Sequence, residues 1–286
     1  MKLNRLNKIS LAMIVFMLCL LALCLPVASV QAEQPIYYGA PNAAPNRVTA
    51  QALMSNNLTY TSKQVLIDNE LSVMLPQYND KAASFPNGCP AVAGTILIGY
   101  YDLYKENLIP NFTSFIKRGS NVIFKPVGNE IQAVMSDLFD KMNVNKVQLG
   151  ATKDDFKLGL NDYVQSKGYN IAYNSYLNST NIDYNAIANS LNNGNPIAVF
   201  TGACNIISDL NIGDTSLTMT TNYNNSNHIF IASGIKRINF YNGNSLIRTD
   251  TYLKVSTGLK TPPSGYILLE NLRVDDIIGV VIDWYV

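Results

Sequence analysis

Asn87-Gly88-Cys89-Pro90-Ala91-Val92-Ala93-Gly94, running on into Thr95-Ile96-Leu97-Ile98-Gly99-Tyr100-Tyr101-Asp102, is the stretch from which the fold is read. A turn pair and a cysteine stand before a run that is first small, then apolar, then aromatic. Pro90 suits the first turn of a helix, where its missing N–H is not needed. Ala91, Ala93 and Gly94 let the first turns lie close against another layer, and Ile96, Leu97, Tyr100 and Tyr101 supply a buried face. The spacing predicts a buried helix with Cys89 at its N-terminus. Unpaired N–H groups and the positive dipole end favour a thiolate over a thiol there.

The chain opens with Lys2, Arg5 and Lys8, an apolar run from Ile9 to Leu25, a break at Pro26, and small residues at Val30-Gln31-Ala32. This pattern predicts a secretory signal peptide, residues 1–32, and an exported, extracytoplasmic protein. The full sequence holds 21 basic and 20 acidic residues. Removing residues 1–32 takes away three basic and no acidic ones, leaving 18 against 20 and a net charge of −2. No basic footprint for nucleic acid is present. No second long apolar stretch follows, so no membrane contact is expected after signal removal. A monomer and no cofactor are expected.

Of the four cysteines, Cys19 and Cys24 leave with the signal, so Cys89 and Cys204 remain. Two cysteines make no disulfide framework for a domain of this size, although they can pair with each other. Cys204 follows the apolar Ile197-Ala198-Val199-Phe200 and reads as a small buried packing residue. One histidine, His228, and two separated cysteines give too few soft ligands for a metal site.

Residues 33–70 read as a linker or short pro-segment with a helix around Thr49 to Met54, and 71–286 as the folded domain. A strand is expected at Leu71–Leu75, then helices after Cys89, over Asn129–Met142, after the cap at Thr152, and over Asp183–Leu191. Tyr169–Tyr176, Ile197–Phe200, His228–Ile235, Tyr252–Val255, Tyr266–Leu269 and Ile277–Trp284 read as strands. Helices first and strands later predict α+β: a helical half packed on an antiparallel sheet half, with a cleft between.

A cysteine nucleophile needs an imidazole partner, and His228 opens a β-rich run 139 residues after Cys89. In order, Asn87–Gly94 with Gly99-Tyr100-Tyr101-Asp102, then Asn193-Gly194-Asn195-Pro196, then Asn227-His228-Ile229-Phe230-Ile231-Ala232-Ser233-Gly234 resemble the bacteriocin-processing (double-glycine) peptidase-like family of papain-like cysteine peptidases. The resemblance spans roughly Leu71 to Leu269. It implies a papain-like fold, Cys89 as nucleophile and His228 as general base and acid. Gln77 is similar to the upstream glutamine that helps hold the oxyanion.

The residue that orients the imidazole is where the sequence departs from the family. The strand Tyr252–Gly258 offers only hydroxyls at its tip, and Asp250 at its start is the first choice, with Ser256 and Asn271 as rivals. Ala91-Val92 also stands where relatives often have Pro-Thr. The resemblance implies a secreted peptidase hydrolysing peptide or isopeptide bonds in a peptide or protein substrate. A catalytically inactive binding or surface protein on the same scaffold, and a transglutaminase-like acyl transferase, fit the same residues.

Overall fold

The computed structural model describes residues 34–39, 57–79 and 85–284. The expected signal peptide (1–32) and the helix expected around Thr49 to Met54 lie outside the described residues. Ile36–Val286 forms one compact unit; of the other, Met1–Pro35, only Gln34 and Pro35 are described.

In chain order the strands are β1 (Tyr37–Tyr38), β2 (Asn57–Thr59), β3 (Ser62–Glu70), β4 (Phe115–Arg118), β5 (Asn121–Phe124), β6 (Ala151–Thr152), β7 (Tyr169–Ser175), β8 (Leu177–Asn178), β9 (Asn181–Ile182), β10 (Ile197–Thr201), β11 (Cys204–Ile212), β12 (Ser216–Asn224), β13 (His228–Asn242), β14 (Ser245–Ser256), β15 (Ser264–Leu268) and β16 (Val274–Trp284). The helices are α1 (Cys89–Tyr101), α2 (Asn129–Lys141), α3 (Lys153–Ser166) and α4 (Tyr184–Asn192). A 3-10 turn covers Leu269–Asn271.

Ten strands make one antiparallel sheet in the order β2-β12-β11-β15-β14-β13-β10-β16-β7, with β3 also on β13. β13 organises it. Its start, His228–Ala232, pairs with β10, and its continuation, Gly234–Tyr241, pairs with β3. Along its other edge it carries β14 from Ile231 to Asn242. Hence the sheet has two ends with different surroundings. Around β10 and the start of β13 every residue is buried, and all four helices join that core. At the far end Tyr60, Ile207, Leu217, Met219, Ile238, Phe240, Tyr252 and Leu268 form a smaller core without a helical residue.

α1 fills the middle of the larger core. All twelve of its residues from Pro90 to Tyr101 are buried, so the helix is covered on every side and not only on one face. Gly94 lies against Leu138 and Met142, which lets α1 and α2 approach closely. α3 starts where the sequence predicts: Thr152 accepts from the Asp155 N–H while Asp155 bonds back to the Thr152 N–H, a capping box. Asp183 caps α4 through the Ala186 N–H.

The predicted papain-like division into a helical half and a sheet half is overturned. The architecture is a large antiparallel sheet, 45% strand against 22% helix, with its helices gathered around one region of it. The discrepancy comes from strands that pair without a strong burial pattern. β3 (SKQVLIDNE) is exposed or half-buried throughout and is held by its ladder to β13. β11 and β12 form a largely polar hairpin in which Thr218, Thr220 and Asn222 face water. Strand formation in β3 comes from the neighbouring backbone, which hydrophobic alternation does not report, and in β12 only Leu217 and Met219 alternate inward. The stretch 33–70 correspondingly contributes β1, β2 and β3 to paired structure. Leu71–Leu75, expected as a strand, is irregular chain with Leu71 and Leu75 buried.

Candidate active site

Asn87 adopts φ 59 and Gly88 ends the turn, with its N–H donating to the Phe85 carbonyl at 3.2 Å. Cys89 is then the first residue of α1 and is half-buried. No described side chain caps this helix, and its first turn holds no acidic residue. The positive end of the helix dipole lies at Cys89, where it favours an anionic sulfur.

His228 is the first residue of β13, 2% exposed, and opposite Thr201 of β10. Its Nε2 lies 2.7 Å from the Thr257 carbonyl oxygen, and its ring tilts against Phe230 at 4.6 Å between centroids. The register explains this contact. β14 ends at Ser256 opposite Ile231, so the chain leaving it crosses beside the start of β13. Thr257 is fixed in turn: its N–H donates to Pro263 O at 3.0 Å, its hydroxyl donates to Pro262 O, and the Leu259 N–H donates to that hydroxyl at 3.1 Å.

The Thr257-Gly258 turn joins the two halves of the site. Gly258 has φ +68, and a Cβ there would stand 3.1 Å from Val92 Cγ1. Val92 is three residues after Cys89, about 4.5 Å along the axis and on nearly the same face. The first turn of α1 and the His228 imidazole thus both abut one turn.

Gln77 is brought to the same corner. Pro76 O accepts from the Ser256 hydroxyl at 2.9 Å, and the Gln77 side-chain amide donates to Ser264 Oγ at 3.3 Å, where Ser264 pairs with Ser256. Ser256, a rival for the orienting role, spends its hydroxyl on Pro76. Asp250 is not brought to the site. It is opposite Ile238, ten residues along β13 from His228, roughly 30 Å away at strand rise. Its carboxylate, 1% exposed, instead pairs with Arg248 at 2.7 Å and accepts from the Tyr252 hydroxyl. Asn271 lies in the 3-10 turn after β15.

Cys204 is a free buried thiol on β11 and is not paired with Cys89. Burial pushes its pKa up to about 12, so it stays a neutral packing group. Among the described residues no cluster of three or more His, Cys, Asp or Glu is placed to hold a metal. No helix among them is long and apolar enough to cross a membrane.

Three contributors escaped the sequence reading. One is the Thr257 carbonyl, which a side-chain motif cannot show. The others are Asn227 and Gly39. The Gly39 N–H donates to Asn227 O at 2.9 Å, directly before His228, and the Asn227 amide donates to Tyr37 O at 3.1 Å. On its other side Gly39, φ +92, lies so close to Asn87 that a Cβ would be 2.2 Å from the Asn87 carbonyl oxygen. The strap Tyr37–Gly39 therefore ties the loop before the cysteine to the loop before the histidine. It is anchored by pairing with β6, by Tyr38 buried edge-on against Phe200, and by the Tyr38 hydroxyl donating to Asp275 at 3.1 Å. No motif marks Gly39, which sits in a stretch read as a linker; Asn227 was visible only as the neighbour of His228.

No protein-family model matches this chain, and no curated protein matches it.

Proposed function

We propose that the protein is a cysteine peptidase with Cys89 as nucleophile and His228 as general base and acid. The observation that carries this reading is the 2.7 Å contact between His228 Nε2 and the Thr257 carbonyl, on a turn that also packs against the helix beginning at Cys89. A carbonyl oxygen only accepts, so Nε2 carries a proton and Nδ1 is the nitrogen that exchanges one. The carbonyl does for the ring what an Asn or Asp side chain does in related chemistry: it fixes tautomer and orientation.

The steps follow from these roles. Nδ1 takes the thiol proton, giving a thiolate at the helix N-terminus and an imidazolium beside it. The thiolate sulfur attacks the substrate carbonyl carbon, and the carbonyl electron pair moves onto oxygen. The Cys89 N–H and the Gln77 amide are the donors for that oxyanion. As the carbonyl re-forms, the C–N bond breaks and Nδ1 protonates the leaving amine. Water, deprotonated by Nδ1, then attacks the thioester and releases the acid, and the thiolate–imidazolium pair is restored.

The test is alkylation of Cys89 by iodoacetamide from pH 4 to 9, followed peptide by peptide, with His228→Ala alongside. Cys89 should react with an apparent pKa well below the free-thiol value of about 8.5, and His228→Ala should remove that shift. A Cys89 that is inert, or that titrates as an ordinary thiol in both proteins, refutes the proposal.

A further inference from the structure

Away from this site, one arginine stands out by its lack of polar partners. Arg237 is in mid-β13, opposite Thr251 of β14 and Ile67 of β3. The neighbouring cations each have a carboxylate: Lys236 pairs with Asp68 at 2.9 Å and Lys254 pairs with Glu70. Among the described residues no ion pair includes Arg237, and its buried Nε meets no hydrogen-bond acceptor. Its guanidinium stacks instead on the Tyr184 ring, 4.2 Å from the centroid. A guanidinium N–H left without an acceptor carries an unreturned desolvation cost, so such a group calls for a reason.

Arg237 also lines a pocket of about 470 Å³ together with Tyr176, Asn178, Asn181, Tyr184 and Asn185. Tyr184 is the first residue of α4, so the positive end of that helix borders the pocket. Asp183 also borders it, with its carboxylate committed to capping α4. Tyr176 is set against Gly279, where a Cβ would meet its hydroxyl at 2.4 Å; a larger residue at 279 would push the ring. The lining joins a planar cation, two aromatic rings and three amides in a volume suited to one small ligand.

We infer that this pocket binds a small polar ligand through its carboxylate, with the carboxylate on Arg237 and the polar body among the asparagine amides. Stacked and planar, the guanidinium presents the two-pronged face that matches a carboxylate, which a lysine does not reproduce. Two sources carry this chemistry, a sugar acid and a free peptide C-terminus. The inference is independent of catalysis at Cys89.

The experiment is calorimetric titration with D-glucuronate and N-acetylglycylglycine, each against its neutral counterpart (D-glucose and N-acetylglycylglycinamide), and with inorganic phosphate. One carboxylate should bind saturably and its neutral counterpart at least about tenfold more weakly. Which one binds identifies the source. Arg237→Gln should abolish this binding and Arg237→Lys should weaken it, with circular dichroism showing both folded; if Arg237→Gln fails to fold, Arg237→Lys and Asn181→Ala carry the comparison. No saturable binding of either carboxylate, equal binding of the neutral counterparts, binding of phosphate alone, or binding unchanged in the Arg237 variants overturns the inference.

Discussion

Gly39→Ala tests whether the strap sets the geometry of the candidate active site. The added Cβ falls 2.2 Å from Asn87 O and 2.8 Å from Asn87 C, both backbone atoms, so no side chain can swing aside. To reach an ordinary 3.4 Å contact the Asn87 carbonyl must retreat by about 1.2 Å, or the strap must lift by as much. Asn87 is two residues from Cys89 in a tight turn, and Gly39 is bonded to the residue before His228, so either movement separates nucleophile from base. Displacement of about 1 Å at reacting groups costs on the order of 10²-fold in rate. Holding an L-residue at φ +92 costs a further 1–3 kcal/mol or so of stability. At about 2–4 °C per kcal/mol for a chain of this size, a fall in Tm of roughly 2–12 °C is expected. The control is Gly243→Ala, whose φ is +58 but whose Cβ meets nothing within 4 Å. It should cost stability while leaving Cys89 untouched. The assay is the pH profile of Cys89 alkylation beside a thermal melt: Gly39→Ala should lose about 10²-fold in alkylation rate near pH 6, and Gly243→Ala should not. If Gly39→Ala alkylates within twofold of the parent while melting lower, the strap is merely structural and the coupling argument fails.

Two further outcomes follow from the buried groups. Asp250→Asn breaks a buried ion pair with Arg248 and should destabilise by about 3–5 kcal/mol, yet leave the Cys89 alkylation profile unchanged; a changed profile would return Asp250 to the site. Cys204 should be silent to Ellman's reagent at pH 8 until the protein is unfolded in guanidinium. Its folded pKa, raised by burial from 9.0 to about 12, means that the neutral thiol is the folded form. The stability tied to it is intact below pH 9 and is lost as pH rises toward 12, so Cys204→Ala should show a shallower alkaline decline by circular dichroism.

How much of this was legible depended on whether a feature is carried by side chains or by backbone. The cysteine helix, the Thr152 cap, the helix over Asp183–Leu191, and the strands at β7, β10, β13 and β16 all announce themselves through local pattern. Cys89-Pro90 marks a helix start, Thr152-x-x-Asp155 marks a cap, and Ile197–Phe200 is apolar without a break. The sheet as a whole did not announce itself. β3, β11 and β12 are polar enough to pass for loops, and their status depends on the ladders to β13 and to each other. Losing those strands turned a sheet-dominated architecture into an apparent helical half and sheet half. At the site the same division holds. Cys89, His228 and Gln77 were readable as residue types, and the structure sets the first turn of α1, the His228 ring and the Pro76 carbonyl against the segment Ser256–Gly258. Asp250, the first choice for the orienting residue, lies opposite Ile238 and pairs with Arg248, while the group on His228 Nε2 is the Thr257 main-chain carbonyl.

That substitution of group has consequences for how the site tolerates change. A side-chain carboxamide orienting His228 would be removed by one codon. The Thr257 carbonyl survives any replacement of Thr257, so the orientation of the ring depends on whatever fixes the turn: the Thr257 hydroxyl on Pro262, the backbone bond to Pro263, and the close approach of Gly258 to Val92. The other junction, at Gly39, is likewise a main-chain contact. Main-chain contacts between loops are therefore the supporting structure of this site, and sensitivity to mutation is expected at the small residues that let backbones meet, Gly39 and Gly258, more than at any third acidic or amide side chain. Such an arrangement also accounts for why motif spacing stops short of the orienting residue, since a carbonyl is present at every position and only the fold decides which one faces the imidazole.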